Sequence, residues 1–152
     1  MGFDRSASDF WIRIAAAVLA VTGIAVTAYL VWERYHGNAP FCAVGGGCLT
    51  VQRSEFSTVA GVPVAFLGLF AYVGLLCCAL VPRQWAALTA LFITNLGVML
   101  RAYLSYLELF QISAVCEYCV TSAIVVTLSL IVSVVRLSLL ARAADAGPPV
   151  AA

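Results

Sequence analysis

The chain has 152 residues, 64% of them hydrophobic and 10% charged, with a mean hydropathy of +1.05. A soluble domain is typically about half apolar, so this composition excludes an ordinary water-soluble domain and points to a lipid bilayer. The net charge of +1 excludes a basic nucleic-acid surface, and the chain carries no phosphate-binding glycine loop.

Four apolar segments account for the excess: 14–31, 62–81, 85–110 (interrupted by Arg101 and Glu108) and 118–135. Each is close to the roughly 20 residues that a helix needs to cross a bilayer. The expected fold is all-α, an integral membrane four-helix bundle. Its outer loop is expected to carry a short amphipathic segment. The helices are expected at about 12–32, 62–81, 85–110 and 116–138, in one domain over 1–152 with no thioredoxin-like domain.

In chain order, residues 1–10 form a polar lead with Asp4, Arg5 and Asp9, expected to be partly disordered. The first apolar run is longer than a signal-peptide core, and no small-x-small cleavage site follows it before Trp32, so it reads as a retained helix. Tyr29 and Trp32 lie near one end of it, as interfacial aromatics do.

The longest connection, 33–61, holds Cys42 and Cys48, six apart across Gly45, Gly46 and Gly47. Glycine lets the chain bend back sharply. A disulfide can therefore close this loop, either as a fixed staple or as a shuttle whose thiols part again. Residues 49–59 mix Leu49, Val51, Phe56 and Val59 with Gln52, Arg53, Ser54 and Glu55. This is the amphipathic segment, expected to lie at the membrane surface and cover the mouth of the bundle.

Gly61-Val62-Pro63 opens the second helix, with proline tolerated in the first turn. Cys77 and Cys78 lie deep in that helix and read as inert small hydrophobes. In the third helix Asn95 and Arg101 are polar at membrane depth, which makes them functional candidates. The simpler reading has Arg101 snorkelling outward or pairing with Glu108 seven residues on. The tail beyond Arg142, with Gly147-Pro148-Pro149, is expected to be disordered.

Cys116-Glu117-Tyr118-Cys119 caps the fourth helix. Three residues is close to one turn, so both sulfurs share a side. The helix N-terminus favours a thiolate, the species that attacks disulfides. A CxxC alone also fits half of a zinc site, or two small core residues.

Arg5, Arg13, Arg83, Arg136 and Arg142 fall on one side of the four segments, and only Arg34 and Arg53 fall on the other. The positive-inside rule then places both termini in the cytoplasm. Cys42, Cys48, Cys116 and Cys119 all face outward from the inner (cytoplasmic) membrane, where disulfides persist. Two pairs on one side suggest a disulfide relay. Zinc fits a glycine-spaced pair and a lipid-level pair poorly, and the lone His36 cannot complete a histidine site; no metal is expected. The chain shows neither the paired helical histidines of haem nor the GxGxxG of flavin binding. An electron acceptor dissolved in the lipid serves instead, and a quinone is the obvious chemical type. Cys119 sits one turn deeper than Cys116, and aromatics of the second and third helices can line an apolar pocket beside it.

The motifs together resemble the vitamin K epoxide reductase (VKOR) family in its short bacterial form. They are Cys42-x5-Cys48, Ser54, the run Gly61-Val62-Pro63-Val64-Ala65-Phe66-Leu67-Gly68, the run Tyr103-Leu104-Ser105-Tyr106-Leu107-Glu108-Leu109-Phe110, and Cys116-Glu117-Tyr118-Cys119. The resemblance covers nearly the whole chain. It implies that Cys116 and Cys119 are the active-site pair beside quinone and that Cys42 and Cys48 are the loop shuttle pair. It also implies that Ser54 lies close to the redox site. Leu67 and Tyr72 are expected in the quinone-pocket wall, with Phe66 and Leu104 from the same motif runs.

Where vertebrate members carry an asparagine near the start of the second helix and a tyrosine four residues after the CxxC, this chain has Val64 and Ala123. Plain quinone reduction is therefore expected rather than epoxide reduction. The quinone is of the menaquinone, ubiquinone or phylloquinone type. The partner is a separate thioredoxin-like (DsbA-like) protein. The expected activity is a quinone-dependent thiol oxidoreductase that forms disulfides in that partner. In the expected relay Cys48 attacks an accessible Cys116, Cys119 is shielded, and Cys42 resolves. The alternatives are a structural membrane protein with fixed outer disulfides and a four-cysteine zinc module.

Overall fold

The computed structural model describes residues 5–38, 40–42, 47–53, 57–59, 61–112 and 116–145. Helix α1 spans Arg5–Tyr35, α2 Gly47–Arg53, α3 Val64–Leu80, α4 Gln84–Leu107 and α5 Glu117–Asp145. A π-helical turn, Glu108–Ile112, extends α4. Between α2 and α3, strands β1 (Thr58–Val59) and β2 (Val62–Pro63) pair antiparallel. Gly61, between them, takes φ +82°, a conformation that side chains disfavour.

Helical stretches at 7–35, 84–111 and 117–142 are long and apolar enough to cross a membrane. Helix α3 has 17 apolar-rich residues. At about 1.5 Å per residue it spans about 26 Å, close to the hydrocarbon thickness. Helices α1 and α4 each pack against both α3 and α5, closing a four-helix ring. Its core is Ala20, Tyr72, Leu75, Cys78, Ala86, Ala90 and Val125. Small residues set the close contacts, as expected in lipid. A Cβ at Gly23 would overlap the Tyr72 ring, and one at Gly97 would press on Val126.

The lead is not disordered from Arg5 onward: α1 starts there. A tertiary contact holds it, since Asp9 lies 3.5 Å from the Arg136 guanidinium. Helix α5 likewise runs past Arg142 to Asp145, and the rest of the tail is outside the described residues. The amphipathic segment is compact. Its helix starts at Gly47, two residues before the expected segment, so Cys48 sits in its first turn.

One end of the bundle is sealed by two arginines. Arg13 donates from Nε to the Ala79 carbonyl at 2.8 Å and from Nη2 to that of Leu80. Arg136 donates to the carbonyls of Cys78 at 3.0 Å and Val81 at 2.8 Å. These are the carbonyls that a helix C-terminus leaves without intrahelical partners, and cations suit that end of the dipole. Cys78 is buried and Cys77 exposed there, and both are free thiols. The opposite end, where α3 and α5 begin, carries the other four cysteines.

Candidate active site

Cys116 immediately precedes α5, and its carbonyl accepts the first helical hydrogen bond, from Val120 N–H at 3.0 Å. Its side chain is fully buried. It packs with Cys48, also fully buried, and with Val51 of α2. Cys48 is disulfide-bonded to Cys42, with 6.3 Å between their Cα atoms. Cys116 and Cys119 are free. The structure thus brings all four cysteines into one cluster, a loop disulfide lying against a helix-tip dithiol.

The expected exposure of the CxxC pair is reversed. Cys116 is sealed under α2 and is in contact with the loop rather than with water, whereas Cys119 is only partly buried. The reason is tertiary: α2 folds over the helix tip, while the next turn opens into a cavity.

The Cys116 thiol is lowered from an ordinary 9.0 to about 7. The largest cause is a hydrogen bond from the Cys119 thiol. Backbone N–H groups of Cys119 and Tyr118 at the start of α5 add to it, against the opposing effects of burial and the Glu108 charge. A low-pKa thiol is a good leaving group in disulfide exchange.

Tyr118, inside the CxxC, clamps the loop. Its hydroxyl donates to the Phe41 carbonyl at 2.6 Å, and Phe41 N–H donates to the Tyr29 hydroxyl at 3.2 Å. The two tyrosine rings lie 5.5 Å apart. Cys42 is thereby held between α1 and α5. Sequence reasoning assigned Tyr118 no role. Its position between the two cysteines was the available signal.

An apolar cavity of about 550 Å³ opens beside the cluster. Leu67, Tyr72, Leu104 and Cys119 line it, together with Gly68, Phe70, Gly97, Leu100 and Ser122. Cys116 is not in its wall. Phe66 is not there either: its ring packs against Tyr35 and Phe70, with centroids 6.0 Å and 6.1 Å away. Ser54 lies outside the described residues. Tyr72 reaches across the bundle to Ser122, 3.4 Å from both its carbonyl and its hydroxyl.

Arg101 and Glu108 also line the cavity. They form the expected pair, Nη2 to Oε1 at 3.2 Å, with side chains 13% and 8% exposed. Glu108 opens the π-helical turn, a feature frequent at functional sites. Charge at membrane depth is the sequence signal for this pair. Among the described residues no three His, Cys, Asp or Glu side chains converge to hold a metal ion.

The size and apolar wall of the cavity suit an apolar small molecule; small-molecule sites run to about 300–1,000 Å³ with a few placed polar groups. The Cys119 residue lies in its wall, and the Cys42–Cys48 disulfide packs against Cys116 behind it. The model of the vitamin K epoxide reductase family matches residues 14–134, a span that holds the four clustered cysteines and every residue lining the cavity. The chain is a membrane thiol oxidoreductase and belongs to the vitamin K epoxide reductase family.

Proposed function

We propose that this chain is a quinone-dependent enzyme that makes disulfides in a thioredoxin-like protein outside the membrane. One observation carries the reading. Cys119 lines the apolar cavity while Cys116, one turn away, is buried against the loop disulfide. The two sulfurs of one pair thus serve two different exchange partners.

The relay balances as follows. Cys116 and Cys119 give two electrons and two protons to a quinone held in the cavity, and a Cys116–Cys119 disulfide forms. In a reduced loop, the Cys48 thiolate attacks Cys116 and displaces Cys119. Cys42 then attacks Cys48 and displaces Cys116, whose pKa of about 7 favours its departure. The products are a Cys42–Cys48 disulfide and a Cys116/Cys119 dithiol, the redox state seen here. Cys42 lies at the less buried side of the loop, where a soluble dithiol can attack it and carry the oxidising equivalent away.

Leu67, Tyr72 and Leu104 shape the quinone site. Ser54 remains proposed near it from the resemblance alone. The positive-inside asymmetry supports an orientation with both termini cytoplasmic and the cysteine end outside. The test is steady-state quinone reduction by the purified chain in nanodiscs, driven by a reduced thioredoxin-like protein. Turnover that needs all four cysteines is expected. Thiol oxidation that does not consume quinone would overturn the reading.

A further inference from the structure

Several polar side chains described in the cavity wall have hydrogen-bond partners. The Thr27 hydroxyl donates to the Gly23 carbonyl at 2.7 Å, and the Tyr118 hydroxyl donates to the Phe41 carbonyl. Tyr72 is engaged with Ser122, and Arg34 donates to Ser57. Arg101 differs. Its Nη2 is held by Glu108, but its Nε–H is buried without an acceptor. A buried unpaired donor is costly and rare in native structures. This one belongs to a guanidinium in the wall that also holds Cys119.

We propose that Arg101 is the anion-stabilising residue of the cavity, its guanidinium charge stabilising the substrate oxygen on which charge develops as Cys119 is oxidised, with Glu108 positioning it. This rests on the quinone reading above. A quinone is neutral when it arrives, and the Arg101–Glu108 pair is neutral in sum, so entry meets no unbalanced charge. As the electron pair leaves the two sulfurs and the Cys116–Cys119 bond forms, negative charge builds on a quinone oxygen. The low-dielectric cavity makes a fixed cation there effective. Both protons of the quinol come from the two thiols, and Arg101 keeps its own. Glu108 opens the π-helical turn seven residues on, and its carboxylate holds one edge of the guanidinium.

The test uses the full chain in nanodiscs, with a short-chain ubiquinone as acceptor. The first variant is Arg101→Gln with Glu108→Gln, which removes both charges and leaves no buried ion unpaired. Two rates are read: kcat for quinone reduction, and reduction of the Cys116–Cys119 disulfide by dithiothreitol, which involves no quinone. Loss of one oxyanion-type donor predicts a fall in kcat of roughly 100-fold. Thiol exchange should stay within about twofold of the parent. If the double variant does not fold, Arg101→Lys keeps the cation but removes the planar guanidinium fork, and at least a roughly tenfold fall in kcat is expected. Quinone turnover within about threefold of the parent in either folded variant overturns the inference alone. Equal loss of both rates also overturns it, since that is the mark of a structural role. A parent chain that reduces no quinone overturns the quinone reading and this inference together.

Discussion

The pKa of Cys116 is the most exacting electrostatic consequence of the site. The thiol is lowered from 9.0 to about 7, a shift equivalent to about 3 kcal/mol in favour of the thiolate. Because the folded-state value is depressed, this stabilisation of the reduced chain is fully present above pH 9.0 and is lost as pH falls through about 7. At pH 7 about half of Cys116 is thiolate, against about 1% of an ordinary thiol. The assay is site-resolved alkylation by iodoacetamide across pH, read by mass spectrometry. Serine at positions 42 and 48 and alanine at 77 and 78 leave only Cys116 and Cys119 to react. Restricted reagent access slows the absolute rate without moving the midpoint. The predicted midpoint is about 7. Cys119→Ala removes the largest cause while burial remains, so the midpoint should rise to 9.0 or above. A midpoint of 9.0 in the parent, or one that stays near 7 in Cys119→Ala, refutes this electrostatic account.

The other consequences are structural or topological. Cys42→Ser removes the resolving thiol, so a Cys48–Cys116 disulfide should accumulate when quinone is added. Non-reducing peptide mapping detects it, and a Cys42–Cys116 bond accumulating in Cys48→Ser instead would exchange the roles of the loop cysteines. Arg136→Met strands Asp9 and two carbonyls at the end of α3, a loss of about 3–5 kcal/mol. Its thermal unfolding temperature should fall while the folded fraction keeps its thiol-to-quinone turnover; an unchanged melting curve counts against the cap. A C-terminal reporter fusion should register in the cytoplasm, and an outside signal would invert the orientation.

The apolar runs made the helices legible, because each is as long as the bilayer demands. The cysteine spacings made the redox pairs legible. What the sequence hid depends on faces and folding-over. Helix α3 is apolar nearly all round, so no periodicity says which side meets the cavity. That is why Leu67 and Tyr72 line it while Phe66 turns to Tyr35. The burial of Cys116 is a long-range event, since α2 must fold onto a helix tip more than sixty residues away in the chain. The arginines read as topology markers are also caps: Arg13 and Arg136 converge on α3 from different helices. Charge also misled at the ends. Runs were stopped at the first polar residues, yet α1 continues back to Arg5 because Asp9 finds Arg136.

The central claim is that electrons leave the chain through Cys119 into a quinone in the adjoining cavity. A single-turnover experiment tests it most directly. The fully reduced chain in nanodiscs is mixed anaerobically with one equivalent of quinone. Quinol is then followed by absorbance and disulfides by quenched peptide mapping. The account predicts one quinol for each disulfide formed, with Cys116–Cys119 appearing before Cys42–Cys48, and no quinol from Cys119→Ala. Quinol produced by Cys119→Ala at the parent rate, or a loop disulfide that forms before any bond at Cys116, would contradict it.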